Sequence, residues 1–392
     1  MKKLAFLLAI LFWGAYVSGF VHAETDETPL PQSTAYVLIE ATTGTVLAQS
    51  NSRERLPIAS LTKIMLLLLT AEELNSGRLS LSEEVTATAH AASMEGSTIW
   101  LNAGEAMTVA DLVKSVVIAS ANDAAVALAE RVAGSEPSFV ALMNRKAHVL
   151  GMNNTNFVNA TGLDHADHVS TAQDIAIMSR ALMREENYVY FAEYALTRLC
   201  SVRTGTERET QLLNTNKLIT YYNGIEGLKT GTTDNAGHCL AAAAVRGDMR
   251  LISVVLGCAD ESARLTLSEH LLDTGFGGFE MHVPDVSESE DTRHVVGLTL
   301  PVLRGTVQQV AVAEQNPPVI VIPRGQASRI EWQVYLPDEI TAPIAANQPV
   351  GTITATLGGE VIYEGYVMAA ESVDRVTFWL VLKRLTWRFF GG

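Results

Sequence analysis

Pro57-Ile58-Ala59-Ser60-Leu61-Thr62-Lys63-Ile64-Met65 opens a strongly apolar run that continues through Leu66-Leu67-Leu68-Leu69 and reaches Leu74. From Leu61 onward it has too little polar surface for a helix facing water, so it predicts a helix inside a domain. At the N-terminal end of that helix stand Ser60 and Lys63. A spacing of three residues places hydroxyl and amine on one helical face. A lysine directed into apolar surroundings loses the solvation that favours its charge, and its pKa falls. The neutral amine can take the serine proton and activate the oxygen for acyl transfer. The helix N-terminus adds backbone N–H groups that stabilise negative charge. S-x-x-K is by itself a weak pattern in 392 residues, and it occurs once here.

Working outward, Tyr36–Ile39 and Gly44–Leu47 read as a hairpin, and Val109–Val132 as a helical region rich in Ala and Leu. Cys239–Val245 and Leu251–Leu256 are β runs separated by Arg246-Gly247-Asp248. This mixture predicts an α/β or α+β domain of about 250 residues with an antiparallel sheet and helices, and α+β is the class expected. After His282 the pattern changes. Eight of the twelve prolines fall between 282 and 370, and short β runs replace helices. Thr352–Leu357 alternates polar and apolar residues, then Gly358-Gly359 turns into Val361-Ile362-Tyr363, a hairpin of a small all-β domain. The acidic stretch Asp285–Asp291 reads as a solvated linker.

The two ends are unlike the middle. Lys2 and Lys3 precede an apolar run from Leu4 to about Val17, and Val21-His22-Ala23 fits a cleavage site. Residues 1–23 therefore read as a signal peptide, too short in its apolar part for a bilayer span. In Arg375–Phe390, Phe378, Leu382, Leu385 and Phe389 share one helical face, while Thr377, Arg384 and Arg388 share another. A basic, aromatic amphipathic helix of this kind predicts an interfacial membrane anchor. The expected organisation is a signal peptide at 1–23, an enzyme domain at 24–281, an all-β domain at 282–370 and an anchor helix at 371–392.

Composition bounds the function. With 48% apolar and 18% charged residues the chain can bury a large core. Against 28 Lys and Arg stand 43 Asp and Glu, a net charge of −15, which argues against nucleic acid as a partner. Cys200, Cys239 and Cys258 form no C-x-x-C pair, and an odd count leaves at least one thiol unpaired or paired between chains. Buried structural thiols are the expected state. No G-x-S-x-G, H-E-x-x-H, Walker loop or EF-hand pattern is present. Asp164-His165-Ala166-Asp167-His168 has the composition of a metal site, but no second motif completes it, and it reads as a loop. Neither a metal nor an organic cofactor is expected.

Two further patterns, each occurring once, follow the first. Ser120-Ala121-Asn122 opens or interrupts the second helical region, and Lys229-Thr230-Gly231 leads into the β run at Cys239. S-x-x-K, S-x-N and K-T-G in this order are the signature of penicillin-recognising serine acyltransferases. The chain resembles the low-molecular-mass penicillin-binding proteins that are serine-type D-alanyl-D-alanine carboxypeptidases, of the penicillin-binding protein 5/6 type. The resemblance extends to Ser120-Ala121-Asn122-Asp123-Ala124-Ala125, Gly151–Leu163 and Ile225–Thr233, and downstream to Ile322–Gln326 and Thr341-Ala342-Pro343.

That resemblance implies a penicillin-binding, β-lactamase-like transpeptidase domain that removes the terminal D-alanine from peptidoglycan pentapeptide stems, with β-lactams as covalent inhibitors. It implies Ser60 as nucleophile, Lys63 as its base, Ser120 in proton transfer and Asn122 on the substrate amide. Lys229 and Thr230 would face the substrate, Thr230 near its terminal carboxylate with Arg264 assisting. Gly231 would keep Cβ away from the acyl group, and backbone N–H groups of Ser60 and Thr232 would form the oxyanion hole. The chain departs from the family where many members have His at position 232, and Thr215 stands where some have a second arginine. A β-lactamase or an endopeptidase on the same fold is the alternative enzyme. Ala121 in place of the Asp of S-D-N speaks against the first, and the β domain and anchor against the second. A non-catalytic wall-associated scaffold would not need three intact motifs. The implied location is exported, at the outer face of the cytoplasmic membrane.

Overall fold

The computed structural model describes residues 31–283, 298–314 and 319–377, and the chain divides into two compact units between Glu280 and Met281. In the first, β1 (Ala35–Glu40) and β2 (Val46–Ser50) form the expected hairpin. β2 starts later than the alternation predicted. The buried Glu40 carboxylate accepts the N–H groups of Thr42 and Thr43, and Gly44, at φ +79°, completes the turn. A 3-10 turn, Ala59–Thr62, leads into α1 (Lys63–Asn75). β3 (Glu84–Thr86) and β4 (Ala106–Thr108) pair on either side of α2 (Ala89–Ala92). α3 (Val109–Ala119), α4 (Asn122–Ala133), α5 (Glu136–Leu150), α6 (Ala172–Leu182), α7 (Glu185–Tyr188) and α8 (Ala192–Leu196) build the helical part. A hairpin of β5 (Leu199–Val202) and β6 (Thr210–Leu213) precedes the long strands β7 (Ile225–Thr233), β8 (Gly237–Arg246) and β9 (Met249–Cys258), and α9 (Glu261–Gly278) follows.

The central sheet has the order β2-β1-β9-β8-β7 and is antiparallel throughout. Its alternation serves two layers. Val37, Ile39, Ala241, Ala243, Ile252 and Val254 join the same core as α1. Leu38 and Leu251 point the other way, beneath α9, where a Cβ at Gly275 would lie 2.5 Å from Leu251 Cδ1. With helices on both faces, α1 lies inside, and Ile64 to Leu69 are buried without interruption, as its all-round apolar sequence requires. The region expected to be helical over Val109–Val132 is two helices. Ser120 ends α3 in the left-handed conformation (φ 60°, ψ 29°), and Ala121 caps α4.

β10 (Phe279–His282) spans the division. In the second unit lie β11 (Thr299–Leu303), β12 (Gln309–Glu314), β13 (Ile320–Pro323), β14 (Ile330–Tyr335), β15 (Ile340–Thr341), β16 (Pro349–Leu357) and β17 (Glu360–Ala369). Six of them form a sheet of order β14-β16-β17-β12-β11-β15 over a core that includes Val310, Trp332, Ile353 and Val367. Gly358 and Gly359 turn β16 into β17 with φ of +61° and +87°, the two positive values that a two-residue hairpin turn demands. This β unit continues past the expected boundary at 370: Val373 belongs to its core, and the Val376 N–H donates to the Arg304 carbonyl. The expected leader, the acidic stretch Asp285–Asp291 and the tail from residue 378 lie outside the described residues. Among those described, no helix is long and apolar enough to cross a membrane.

Candidate active site

The nucleophile segment is shaped by its backbone. Ala59 has φ +47°, a region that residues with a Cβ rarely occupy, and it turns the chain so that Ser60 heads α1 half-exposed. Ala59 can hold this shape because the facing residue is glycine. At Gly162 (φ +88°) a Cβ would lie 1.9 Å from the Ala59 carbonyl oxygen. Thr62 adds a second hold, donating from Oγ1 to the same carbonyl at 2.8 Å.

Lys63, 0% exposed, is directed across this turn. Its Nζ lies 2.9 Å from Ser60 Oγ, 2.7 Å from Asn122 Oδ1 and 2.7 Å from the Thr161 carbonyl oxygen. Burial, with the charge of Lys229 second, pulls this amine well below the usual lysine range, and Asp123 opposes them. A neutral amine has two hydrogens and one lone pair. In that form the two carbonyl-type oxygens take the hydrogens, and the lone pair is left for the Ser60 hydroxyl. That is the arrangement of a general base.

The second motif holds this amine in place. Asn122 accepts from Lys63 through Oδ1 and donates through Nδ2 to the Glu95 carbonyl at 2.6 Å. Its neighbour Asp123, 1% exposed, accepts the N–H groups of Ile99 and Leu101. Ser120 is buried, and its Oγ has no hydrogen-bond partner among the described residues.

The third motif lies on β7. Lys229 is 2% exposed and donates to the Thr230 carbonyl at 3.0 Å. Burial, then the nearby Arg264, brings its amine down to about 7. Thr230 and Thr215 share a hydrogen bond between hydroxyls at 2.7 Å. The position of the family's second arginine is thus directly beside Thr230. For Gly231 the structure shows a packing reason. A Cβ there would meet the Ile58 carbonyl oxygen at 3.0 Å and the Ser60 nitrogen at 3.1 Å, so glycine lets β7 close on the nucleophile's own backbone. Thr232 is exposed, and its Oγ1 donates to the Gly231 carbonyl. Arg264, from α9, is buried, and its Nη1 donates to the Gly231 carbonyl at 3.2 Å and to Thr232 Oγ1 at 3.0 Å. It clamps the end of β7 and reaches the cleft through Thr232, not through Thr230.

All nine residues singled out from the sequence therefore belong to one region, Arg264 from behind the strand. Sequence reasoning missed the loop that completes it. Asn159 Oδ1 gathers the N–H groups of Thr161 and Gly162, which presents the Thr161 carbonyl to Lys63. The cluster Asp164–His168 is divided between structural partners: Asp164 accepts from Thr233 Oγ1, and His168 Nε2 lies 2.8 Å from Thr62 Oγ1. No group of described residues forms a metal-binding cluster. Cys239 and Cys258 are buried free thiols, and burial pushes them up to about 11 and about 12.

The protein-family comparison matches residues 22–260 to the model described as Peptidase_S11, D-alanyl-D-alanine carboxypeptidase. It matches residues 294–375 to the C-terminal domain of penicillin-binding protein 5. The chain is 39% identical over 389 residues to the D-alanyl-D-alanine carboxypeptidase DacF of Bacillus subtilis, covering 98% of each. It is 36% identical to DacC of Escherichia coli, covering 96% of this chain and 93% of that one. Among solved structures, penicillin-binding protein 5 from Haemophilus influenzae superposes with a TM-score of 0.78 at 29% identity, covering 90% of this chain and all of that one.

Proposed function

The chain belongs to the D-alanyl-D-alanine carboxypeptidase family, and on that premise we propose how its residues release the terminal D-alanine of peptidoglycan pentapeptide stems. It is a serine-type hydrolase, and Ser60 is its nucleophile. The observation that carries this assignment is the buried Lys63 amine, held 2.7 Å from both Asn122 Oδ1 and the Thr161 carbonyl oxygen with Ser60 Oγ 2.9 Å away.

Lys63 takes the Ser60 proton as Oγ attacks the carbonyl of the penultimate D-alanine. The N–H groups of Ser60 and Thr232 receive the oxyanion, each worth about 3 kcal/mol in comparable sites. Gly231 supports this by letting β7 reach the Ser60 backbone. The Ser120 hydroxyl, buried and without a hydrogen-bond partner among the described residues, passes the proton to the leaving amine. Free D-alanine departs, and water hydrolyses the ester. Lys229 supplies positive charge, Thr230 with Thr215 binds the terminal carboxylate, and Arg264 holds Thr232 and the strand end. Asn122 orients Lys63, and its second amide hydrogen is left for the substrate. β-Lactams acylate the same serine.

Fluorescent penicillin should label the protein, and D-alanine should be released from a pentapeptide. Ser60→Ala should abolish both. Unchanged labelling of that variant would remove Ser60 from the role.

We further propose that the protein is exported by its 1–23 leader, and that its aromatic, basic tail binds the outer face of the cytoplasmic membrane. Because Val373 lies in the β core, the informative truncation falls after Thr377. The truncated protein should lose sedimentation with anionic vesicles while keeping penicillin labelling. Retained sedimentation would place the membrane contact elsewhere.

A further inference from the structure

We propose that His168 is a positioning residue for acyl transfer, acting through the Thr62 hydroxyl on the backbone that aims Ser60. The proposal rests on Ser60 being the acylated residue, and it concerns a histidine that faces neither Ser60 nor Lys63 by hydrogen bond.

The direction of the hydrogen-bond chain follows from its ends. The Val158 N–H donates to His168 Nδ1 at 3.1 Å, so Nδ1 carries no proton and Nε2 does. Nε2–H then donates to Thr62 Oγ1 at 2.8 Å, and Thr62 passes its own hydrogen to the Ala59 carbonyl at 2.8 Å. Every donor and acceptor in this relay is used once, in one direction. Burial, with His165 second and Lys63 third, draws the imidazole down to about 4, so at neutral pH it has only this neutral form to offer. The ring is 2% exposed and stands edge-on to Phe157, with centroids 5.8 Å apart.

The end of the relay is the part that matters. Ala59 occupies positive φ and is followed directly by Ser60, so its carbonyl orientation and the Ser60 backbone turn together. Thr62 lies between the nucleophile and its base in the sequence. His168 and Thr161 sit on the same loop, and that loop supplies Lys63 with one of its two acceptors. One imidazole therefore fixes the relative position of two segments, the turn carrying Ser60 and the loop orienting Lys63. Positioning on this scale is catalytically large, because about 1 Å of misplacement can cost roughly a hundredfold in rate.

The test uses the full chain and separates reversible penicillin binding (Kd) from the acylation step (k2) in stopped-flow. Thr62→Val keeps the shape but removes both hydrogen bonds, and should lower k2 about a hundredfold with Kd little changed. Thr62→Ser restores the hydroxyl and should recover k2 to within a few fold. His168→Gln places an amide N–H near the Nε2 position and should retain more k2 than His168→Asn, which reaches only the Nδ1 position. Unfolding midpoints accompany each variant, so k2 is compared among folded proteins. Wild-type k2 in Thr62→Val overturns the proposal, as does a loss carried by Kd or equal k2 in the two His168 variants. Failure of Ser60 as nucleophile shows separately, as penicillin labelling that survives Ser60→Ala.

Discussion

Gly162→Ala adds one methyl group at a residue with no proposed contact to substrate, and its effect on catalysis can be worked out from the packing. The new Cβ would lie 1.9 Å from the Ala59 carbonyl oxygen, 2.4 Å from the Ala59 carbonyl carbon and 2.9 Å from Thr62 Oγ1. Real Cβ atoms stay beyond about 3.0 Å, so the two segments must separate by about 1 Å. Neither obstacle at Ala59 is a flexible side chain. Both are the backbone immediately before the nucleophile. Alanine at φ +88° also costs about 1 kcal/mol in backbone strain. Overpacking adds about 1–3 kcal/mol. A displacement of about 1 Å at Ser60 predicts acylation slowed about a hundredfold. Gly77→Ala is the control, since Gly77 has φ +73° but nothing within 4 Å of where its methyl group would stand. It should lose stability of about 1 kcal/mol and no acylation rate. Stopped-flow acylation by a fluorescent penicillin, with urea unfolding of both variants, measures the two effects separately. A Gly162→Ala protein that acylates as fast as Gly77→Ala would refute the claim that this contact sets the nucleophile turn.

Two further predictions concern pH. With the Lys229 amine near 7 in the free enzyme, its positive charge is lost as pH rises through that value. If that charge receives the anionic substrate, kcat/KM should fall above about pH 7, and Lys229→Arg should remove this alkaline limb; a limb unchanged in the arginine variant assigns it elsewhere. His168 sits below its ordinary value in the folded chain, so the unfolded chain takes up a proton first as pH falls. Its contribution to stability is therefore complete above pH 6.5 and is lost as pH drops from 6.5 towards about 4, by about 3 kcal/mol. His165, Lys63 and Asp164 are the charged or titratable neighbours that tune this window. Urea unfolding at pH 7.5, 5.5 and 4.5 should show a steeper acid loss in the natural protein than in His168→Gln, and parallel slopes would remove His168 from the account.

The parts of the site legible in the sequence are those whose chemistry needs an unusual side chain at fixed spacing. The three-residue spacing of Ser60 and Lys63 brings them together across the 3-10 turn that leads into α1, and Lys229-Thr230-Gly231 announces itself within one strand. The interior position of α1 was also readable, because nothing on it could face water. What remained hidden depends on residues distant in sequence. The Thr161 carbonyl that binds Lys63 has no side-chain signature at all. His168 looked like part of a polar loop because its partner, Thr62, lies 106 residues earlier. The break between α3 and α4 was only half visible, since the left-handed residue is Ser120 where a glycine would have signalled it. Gly231 also serves a purpose the sequence does not announce, the approach of β7 to the backbone of the nucleophile turn.

The enclosure of the Lys63 amine has a consequence beyond activating serine. In the proposed mechanism an ester on Ser60 Oγ lies beside a primary amine whose hold on a proton is weakened by burial, and amides are more stable than esters. An O-to-N acyl shift would move the peptide fragment irreversibly onto the base and end turnover. The two carbonyl-type oxygens at 2.7 Å hold both hydrogens of a neutral amine, so the nitrogen is not free to turn onto an acyl group. With no exposed surface, the amine is also closed to carbon dioxide and other electrophiles. The same enclosure that weakens the hold of Lys63 on a proton, and so frees its lone pair for Ser60, would guard the proposed acyl-enzyme against acylating its own base.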